Sequence, residues 1–595
     1  VIARLALRSC PGLLAASVLL NLLIGVLPAG FIIWTGFMFE RLRTADAPGL
    51  ATAIGLAVGA FVLQQLLVPF QAALGEAVMR RVDGHLTQRL MRSALVSAPM
   101  AALEEQRTAD RLADARDGFD RVQPTPGDAV AGTLALIARY THLLSAALLI
   151  GIVLGPLPGA IVTITALIIR FGQRGSLGRF SALWEGLAGE RRMSAYLRGV
   201  LTSPQWGKDI RILRMLSWLQ HRHRDDSVGY LSLLWSGRRR IYFVPFLGYA
   251  LVGLLGGGLT LVLLAGTAAA GELSLFELSL AIQAALVPIR FGVYFPESDV
   301  KTQVGLQAYR AIVEFEEASA RPETGQAGKE VGAPRRAIRF EDVGFGYRGQ
   351  SVLRRLDLEI PAGCSTAIVG LNGAGKTTLV KLLAKLYEPQ DGRILVDGTD
   401  LGYVDARAWQ RQLAVIFQDY VKYELSAADN IGLGAPALIH DETALLAAAE
   451  RAGALEVLRS LPGGLGTPLS RKYSGGSEPS GGQWQRIALA RAFLAVAGGA
   501  TVLVLDEPTA QLDVRAEVEF YDRFLDLTRG LTTVIISHRF STVRRADRIV
   551  VLEDGRVAES GSHQQLLDLD GRYARLFRLQ AQRFADEVST LKAAQ

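Results

Sequence analysis

The sequence predicts two unlike parts in series: an α-helical membrane bundle of six spans with long polar extensions, then an α/β domain of alternating strands and helices. Three observations predict this. The chain has 595 residues, too long for one domain, and 50% of it is hydrophobic. Its mean hydropathy of +0.25 is high for a soluble protein. The long apolar runs all precede a polar stretch at residues 314–334, beyond which β-rich runs alternate with amphipathic helices. The expected boundaries are 1–320 for the membrane part, 321–336 for a linker, 337–580 for the second domain and 581–595 for a tail.

Arg4 and Arg8 precede the first apolar run, as in a secretion signal. The run covers residues 13–39, however, which is too long for a signal and long enough to span a bilayer, so it reads as a retained first helix. Further runs follow at 50–74, 128–154, 157–171, 242–270 and 273–295. The fourth is short because Arg170 and Gln173 arrive early, and its missing length must come from semi-polar residues on a face turned into the bundle. Connections after runs one, three and five are short and carry turn residues such as Ala47-Pro48-Gly49. Those at 75–127 and 172–240 are long, Arg-rich and helical in pattern. By the positive-inside rule these long loops are cytoplasmic, which puts both chain ends there and makes the protein a multi-pass component of the cytoplasmic (inner) membrane.

The net charge of +7 is spread over those loops rather than gathered in a tail, which argues for contact with membrane lipid and against a nucleic-acid partner. Two cysteines, Cys10 and Cys364, build neither a disulfide framework nor a thiolate metal site. Residues 207–213, followed by Trp218-Leu219, and residues 98–103 have the pattern of short amphipathic helices, expected to dock on the second domain. His221 and His223 lie among Arg and Asp, as on a solvated face rather than in a metal site.

The second domain carries the chemistry. A buried strand, Ser365-Thr366-Ala367-Ile368-Val369, leads into Gly370-Leu371-Asn372-Gly373-Ala374-Gly375-Lys376-Thr377-Thr378 and then an apolar helix, which is a complete P-loop. The glycines let successive backbone N–H groups curl around phosphate oxygens, and the helix N-terminus adds positive potential. Lys376 brings a point charge to the β- and γ-phosphates, and the Thr377 hydroxyl suits Mg²⁺. A second strand, Thr501-Val502-Leu503-Val504-Leu505, ends in Asp506-Glu507. The Asp suits Mg²⁺ held through water, and the Glu is placed to take a proton from an attacking water.

With these motifs in place, residues 338–580 resemble the ATPase domain of ABC transporters, whose motifs all occur in order. The resemblance implies an α/β P-loop NTPase domain with a helical subdomain, binding ATP and Mg²⁺. It puts Tyr347 against adenine, makes Gln418 the Q-loop glutamine that reaches metal and water, Asp513 the D-loop residue and His538 the switch histidine that contacts the γ-phosphate. The signature at a helix start is Ser480-Gly481-Gly482-Gln483, where Pro479 replaces the family's usual Leu. In the family the signature of one subunit closes on ATP held by the other. The resemblance therefore implies a dimer, either of two copies or with a second half-transporter.

Six spans fused ahead of one ATPase domain resemble the exporter branch, whose members move a small molecule, peptide or lipid by alternating access. An exporter-fold importer and a non-transporting regulator or channel are the alternatives. His142, Arg139, Gln283, Arg290 and Tyr294 are candidates for lining a transport cavity, with snorkelling or structural pairing the competing role for the two arginines. The transported substrate is left open.

Overall fold

The computed structural model describes residues 2–120, 123–291, 296–319, 331–507, 524–537 and 543–579. The chain divides into two units, Val1–Arg321 and Pro322–Gln595.

Unit 1 is helical. Its elements are α1 (Ile2–Ser9), α2 (Pro11–Arg43), α3 (Ala47–Arg92), α4 (Met100–Leu103), α5 (Gln106–Asp117), α6 (Pro126–Leu154), α7 (Pro156–Gly186), α8 (Ala188–Thr202), α9 (Gly207–Ile212), α10 (Leu216–Arg238), α11 (Val244–Ala269), α12 (Leu275–Phe291) and α13 (Pro296–Ser319). Prolines open several of these helices, where the missing N–H costs nothing. Thr125 and Asp128 add a capping box at the start of α6. Among the described residues five helical segments are long and apolar enough to cross a bilayer, and α12 supplies a shorter apolar helix where a sixth span is expected.

The expected long loops are mostly continuations of the spanning helices. At 1.5 Å per residue α3 is about 69 Å long, more than twice the hydrocarbon thickness of about 30 Å. Its polar half therefore projects beyond lipid, as does that of the helical segment Leu216–Ala269. The polar stretch expected as linker from 314 begins as helix, because Ile312, Phe315 and Ser319 are buried and hold α13 in regular structure.

Helix α6 lies at the centre, packed against α2, α3, α7, α12 and α13. Helices α7 and α11 approach closely: a Cβ on Gly256 would meet Thr165 Oγ1 at 2.0 Å, and one on Gly172 would meet the Tyr249 ring at 2.3 Å. Several polar side chains inside the bundle are paired, while Ser17 Oγ and His142 Nε2 are buried with no hydrogen-bond partner among the described residues. Gln283 Nε2 donates to Thr35 Oγ1 at 3.0 Å, and Gln71 Nε2 donates to Asn21 Oδ1 at 2.6 Å. Arg170, which shortens the fourth apolar run, is 1% exposed and makes a bidentate ion pair with Asp299 of α13, itself 3% exposed. Arg139 is exposed and His142 half-buried, whereas the side chain of Arg290 and all of Tyr294 lie outside the described residues. On α10, His221 Nδ1 meets the Ser217 carbonyl at 2.7 Å and His223 Nδ1 the Ser227 hydroxyl at 3.4 Å. Cys10 and Cys364 are free thiols.

Unit 2 contains two sheets. Strands β1 (Ala337–Tyr347), β2 (Gln350–Pro361), β4 (Asp391–Val396) and β5 (Thr399–Asp400) form an antiparallel sheet in the order β2-β1-β4-β5. The larger sheet runs β10-β9-β3-β8-β7-β6, from β3 (Ser365–Val369), β6 (Leu413–Ile416), β7 (Val502–Asp506), β8 (Thr532–Ile536), β9 (Arg548–Glu553) and β10 (Arg556–Gly561). It is parallel except for β10.

Strand β7 shows why this sheet forms. All five of its residues are buried, and alternate ones enter different cores. Val502 and Val504 join Phe340, Leu379, Leu383 and Trp409 between the sheets, around α14 (Lys376–Leu383). Leu503 and Leu505 join Ile431, Leu445, Trp484 and Phe493. That second core supports a helical part comprising α16 (Ala427–Gly432), α17 (Glu442–Arg451), α18 (Leu455–Ser460) and α19 (Gly481–Ala497), preceded by the short α15 (Ala406–Gln410) on the other side.

Asp299→Ala removes the bidentate counter-charge of a buried guanidinium, so it should destabilise unit 1 by about 3–5 kcal/mol, whereas Arg170→Met with Asp299→Leu should recover most of the loss. Thermal unfolding midpoints in detergent test both.

Candidate functional site

Ligands of parallel α/β sheets bind at the carboxyl ends of the strands. In unit 2 the loops after β3, β7 and β6 meet there in a cleft of about 510 Å³ lined by Val352, Asn372, Gly373, Gly375, Lys376, Thr377, Thr378, Gln418 and Glu507. The order β3-β8-β7 leaves the P-loop and the Asp506-Glu507 pair two strand spacings apart, about 10 Å, with the cleft between them.

The P-loop glycines answer separate demands. Gly370 is needed for space, since a Cβ there would meet the Leu552 carbonyl oxygen at 2.3 Å. Gly373 and Gly375 have φ of +83° and +100°, a left-handed backbone that side chains rarely adopt. Gly375 is also the N-cap of α14, so the following amides point at the cleft. Lys376 is 7% exposed, and its Nζ donates to the Gly370 and Leu371 carbonyls at 2.9 and 3.2 Å. Burial pushes its proton affinity down, and the Glu507 and Asp506 carboxylates act against that shift.

Asp506 is completely buried, and neither carboxylate oxygen has a hydrogen-bond partner in the described structure. Burial raises its pKa, with the Thr377 hydroxyl pulling the other way. A buried carboxylate without donors, beside a hydroxyl and facing a phosphate cradle, fits a hard divalent cation. Among the described residues no group of three or more His, Cys, Asp or Glu could hold such an ion by itself, so phosphate oxygens and water would complete its shell.

Glu507 has φ +47°, a strained conformation for a residue with a side chain, and its N–H donates to the Ile536 carbonyl at 3.1 Å. Its Oε2 accepts from Gln418 Nε2 at 3.3 Å. The turn thus aims Glu507 into the cleft while Asp506, one residue earlier, stays in the core.

Tyr347 is half-buried and meets Phe345 and Tyr387 edge-on at 5.0 and 5.5 Å, with the Lys381 ammonium 5.5 Å from its ring centre. None of Ser480, Gly481, Gly482 or Gln483 lines the cleft. Ser480 is exposed and caps α19 in a capping box with Gln483. Pro479 beside it is buried, so it takes a packing position rather than a surface one.

The chain segment after Gln418 is tied to the segment before α19. Ala427 N–H donates to the Thr467 carbonyl at 3.0 Å, Leu469 N–H to the Leu425 carbonyl at 2.9 Å, and Lys472 pairs with Glu424 at 2.6 Å. From α19, Arg491 donates to the Asn430 and Val421 carbonyls at 2.8 and 3.3 Å and lies 5.1 Å over the Tyr423 ring. Ala374 is buried within the P-loop, while Asp513 and His538 lie outside the described residues. Sequence reasoning missed Val352, whose only signal is its position two residues into the strand paired with Tyr347.

Residues 353–510 match the family model described as ABC transporter. An ATP-dependent lipid A-core flippase of Methylobacillus flagellatus is 37% identical over 314 residues, 52% of this chain and 52% of that protein. The Beta-(1→2)glucan export ATP-binding/permease protein NdvA of Rhizobium johnstonii is 40% identical over 287 residues, 47% of this chain and 48% of that protein. The chain spans about half the length of the curated relatives it matches. A solved bacterial Atm1-family ABC exporter with ATP bound shares the fold over 96% of this chain and 98% of that one, with a TM-score of 0.74 and 23% identity.

Lys376→Ala removes the one ammonium in this cleft lining, so affinity for a fluorescent nucleotide should fall roughly ten- to hundredfold, the worth of charge-assisted hydrogen bonds. Equilibrium titration of the purified chain checks it.

Proposed function

We propose that this chain, whose residues 353–510 are an ABC transporter domain and whose fold is that of an ABC exporter, works as one half of a dimeric, ATP-driven exporter in the cytoplasmic membrane. The observation that carries the reading is the convergence of the P-loop, Glu507 and Gln418 on one cleft, with Asp506 buried beside it, in a chain whose described residues also include five membrane-length apolar helical segments.

In this reading the amides from Asn372 to Thr378 and the Lys376 ammonium hold the ATP phosphates, and Tyr347 packs on adenine. Thr377, Gln418 and Asp506 would hold Mg²⁺, directly or through water, and when bound it would supply neutralisation of the phosphate charge. Glu507 orients and deprotonates the attacking water, and Gln418 steadies it through the contact described above. His538 attends the γ-phosphate and Asp513 the subunit boundary. Ser480 to Gln483 do not line their own chain's cleft, which leaves them to close the site of a second subunit, either a second copy or a different half-transporter. Exposed Ile212, Leu213 and Trp218 beside α9 support a docking role for that turn of unit 1.

The cargo is a small molecule, peptide or lipid. Two of the relatives are named for moving amphiphilic or saccharide cargo, which supports a search beginning with lipids and glycans.

Glu507→Gln should leave ATP binding intact and lower hydrolysis by about 10²–10⁴-fold in lipid nanodiscs. Hydrolysis unchanged by the substitution would refute the assigned role. ATP-dependent flux from the ATPase side of oriented vesicles tests export against import, and hydrolysis without flux would mark a regulator. Pro479→Leu should leave hydrolysis equal or faster, since a leucine restores the family's side chain at a buried position; a clear loss in the same assay would give the proline its own role.

A further inference from the structure

Helices α7 and α10 carry a surface that transport does not explain. Trp184 lies about 42 Å along α7 from Pro156. Arg239 lies about 45 Å from Ala269 along the helical segment Leu216–Ala269. A bilayer with its headgroups is about 40–45 Å thick. With the short connections at 155 and 270–274 in one interface, both residues therefore arrive at the headgroups of the other.

Aromatic rings gather at that depth. Phe180 meets Tyr242 at 5.6 Å and Trp184 at 6.4 Å, and Trp184 meets Tyr230 at 6.3 Å. Guanidinium groups cover two of the indoles: Arg191 lies 5.2 Å from the Trp184 ring and Arg238 5.4 Å from that of Trp235. Arg238, Arg239 and Arg240 are all exposed, and none has a salt-bridge partner among the described residues. The helix passes at once into a π turn, Arg239–Phe243, and then into exposed apolar side chains, with Phe243 57%, Val244 65% and Phe246 57% exposed. Along one helix, cationic donors are followed by apolar surface, in the order in which a lipid presents its headgroup and its acyl chains.

We propose that Arg238, Arg239 and Arg240, flanked by Trp235 and Trp184, bind the headgroups of anionic phospholipids, with Phe243, Val244 and Phe246 against the acyl chains. The occupant is a lipid rather than a second protein because three adjacent cations without a carboxylate partner among the described residues meet exposed apolar surface at headgroup depth, where an anionic leaflet supplies the counter-charge. The inference rests on unit 1 spanning a membrane and is independent of what is transported.

The test uses the full chain in nanodiscs of phosphatidylcholine doped with brominated phosphatidylglycerol or, separately, brominated phosphatidylcholine at equal mole fraction. The signal is the part of the tryptophan fluorescence that Trp235→Phe removes. Brominated phosphatidylglycerol should quench it at least twice as strongly, and the preference should vanish in R238Q/R239Q/R240Q yet survive in R238K/R239K/R240K. Equal quenching by the two lipids in the unsubstituted chain, or a preference that persists in the glutamine variant, would overturn the proposal, the first outcome being the one expected if a second subunit covers this surface. The readout needs no ATP, so loss of the exporter reading would leave it standing.

Discussion

Everything in unit 2 follows from a charge imbalance held at the ends of parallel strands. Asp506 ends β7 fully buried and without a donor, Lys376 is buried two strands away, and the turn between core and cleft is tight enough to force Glu507 into a left-handed backbone. Neither buried charge is satisfied by the other. The ammonium rests on the Gly370 and Leu371 carbonyls, and the pair leaves room between them for a ligand that carries both negative charge and a hard cation, as the proposed function requires. Strand order matters because only β3, β8 and β7 side by side bring both charges to one opening.

Unit 1 obeys the opposite rule, since in lipid no water satisfies a stray polar group. Most of its interior polar groups described above are accordingly paired, and the Arg170–Asp299 pair joins two helices from distant parts of the chain. Small residues serve the same end by letting α7 and α11 approach until backbone meets side chain. The spanning helices then continue into water unbroken, because nothing in their polar halves stops a helix: the prolines fall at helix starts or inside apolar segments, where neighbouring helices support the backbone.

Legibility in the sequence followed the range of the interaction. The P-loop, Asp506 and Glu507 could be read because each occupies the residues next to a buried strand, a local pattern. The apolar runs could be read because bilayer thickness sets their length. What escaped depended on partners far along the chain. Arg170 looked like an early end to a span until Asp299, 129 residues away, supplied its counter-charge. The polar halves of α3 and of the segment Leu216–Ala269 read as helical loops rather than as continuations of the spans, because polarity, not helix propensity, changes at the membrane surface. Pro479, read only as a departure from the family's usual Leu, is buried while Ser480 beside it is not. Glu507's backbone strain has no sequence signal at all, and His538 and Asp513, both expected from resemblance, lie outside the described residues.

The ties between the segment after Gln418 and the segment before α19 carry a mechanical consequence. Two backbone hydrogen bonds, an ion pair and the Arg491 fork hold these stretches together across several residues, so neither can shift alone. Gln418 touches Glu507 inside the cleft, while Ser480 begins a helix whose first residues do not line it. A displacement of the glutamine by cleft contents would therefore be passed to the start of α19, where Tyr420 also reaches the Gly481 carbonyl at 3.5 Å, and the occupancy of one pocket would set the posture of a surface outside that pocket.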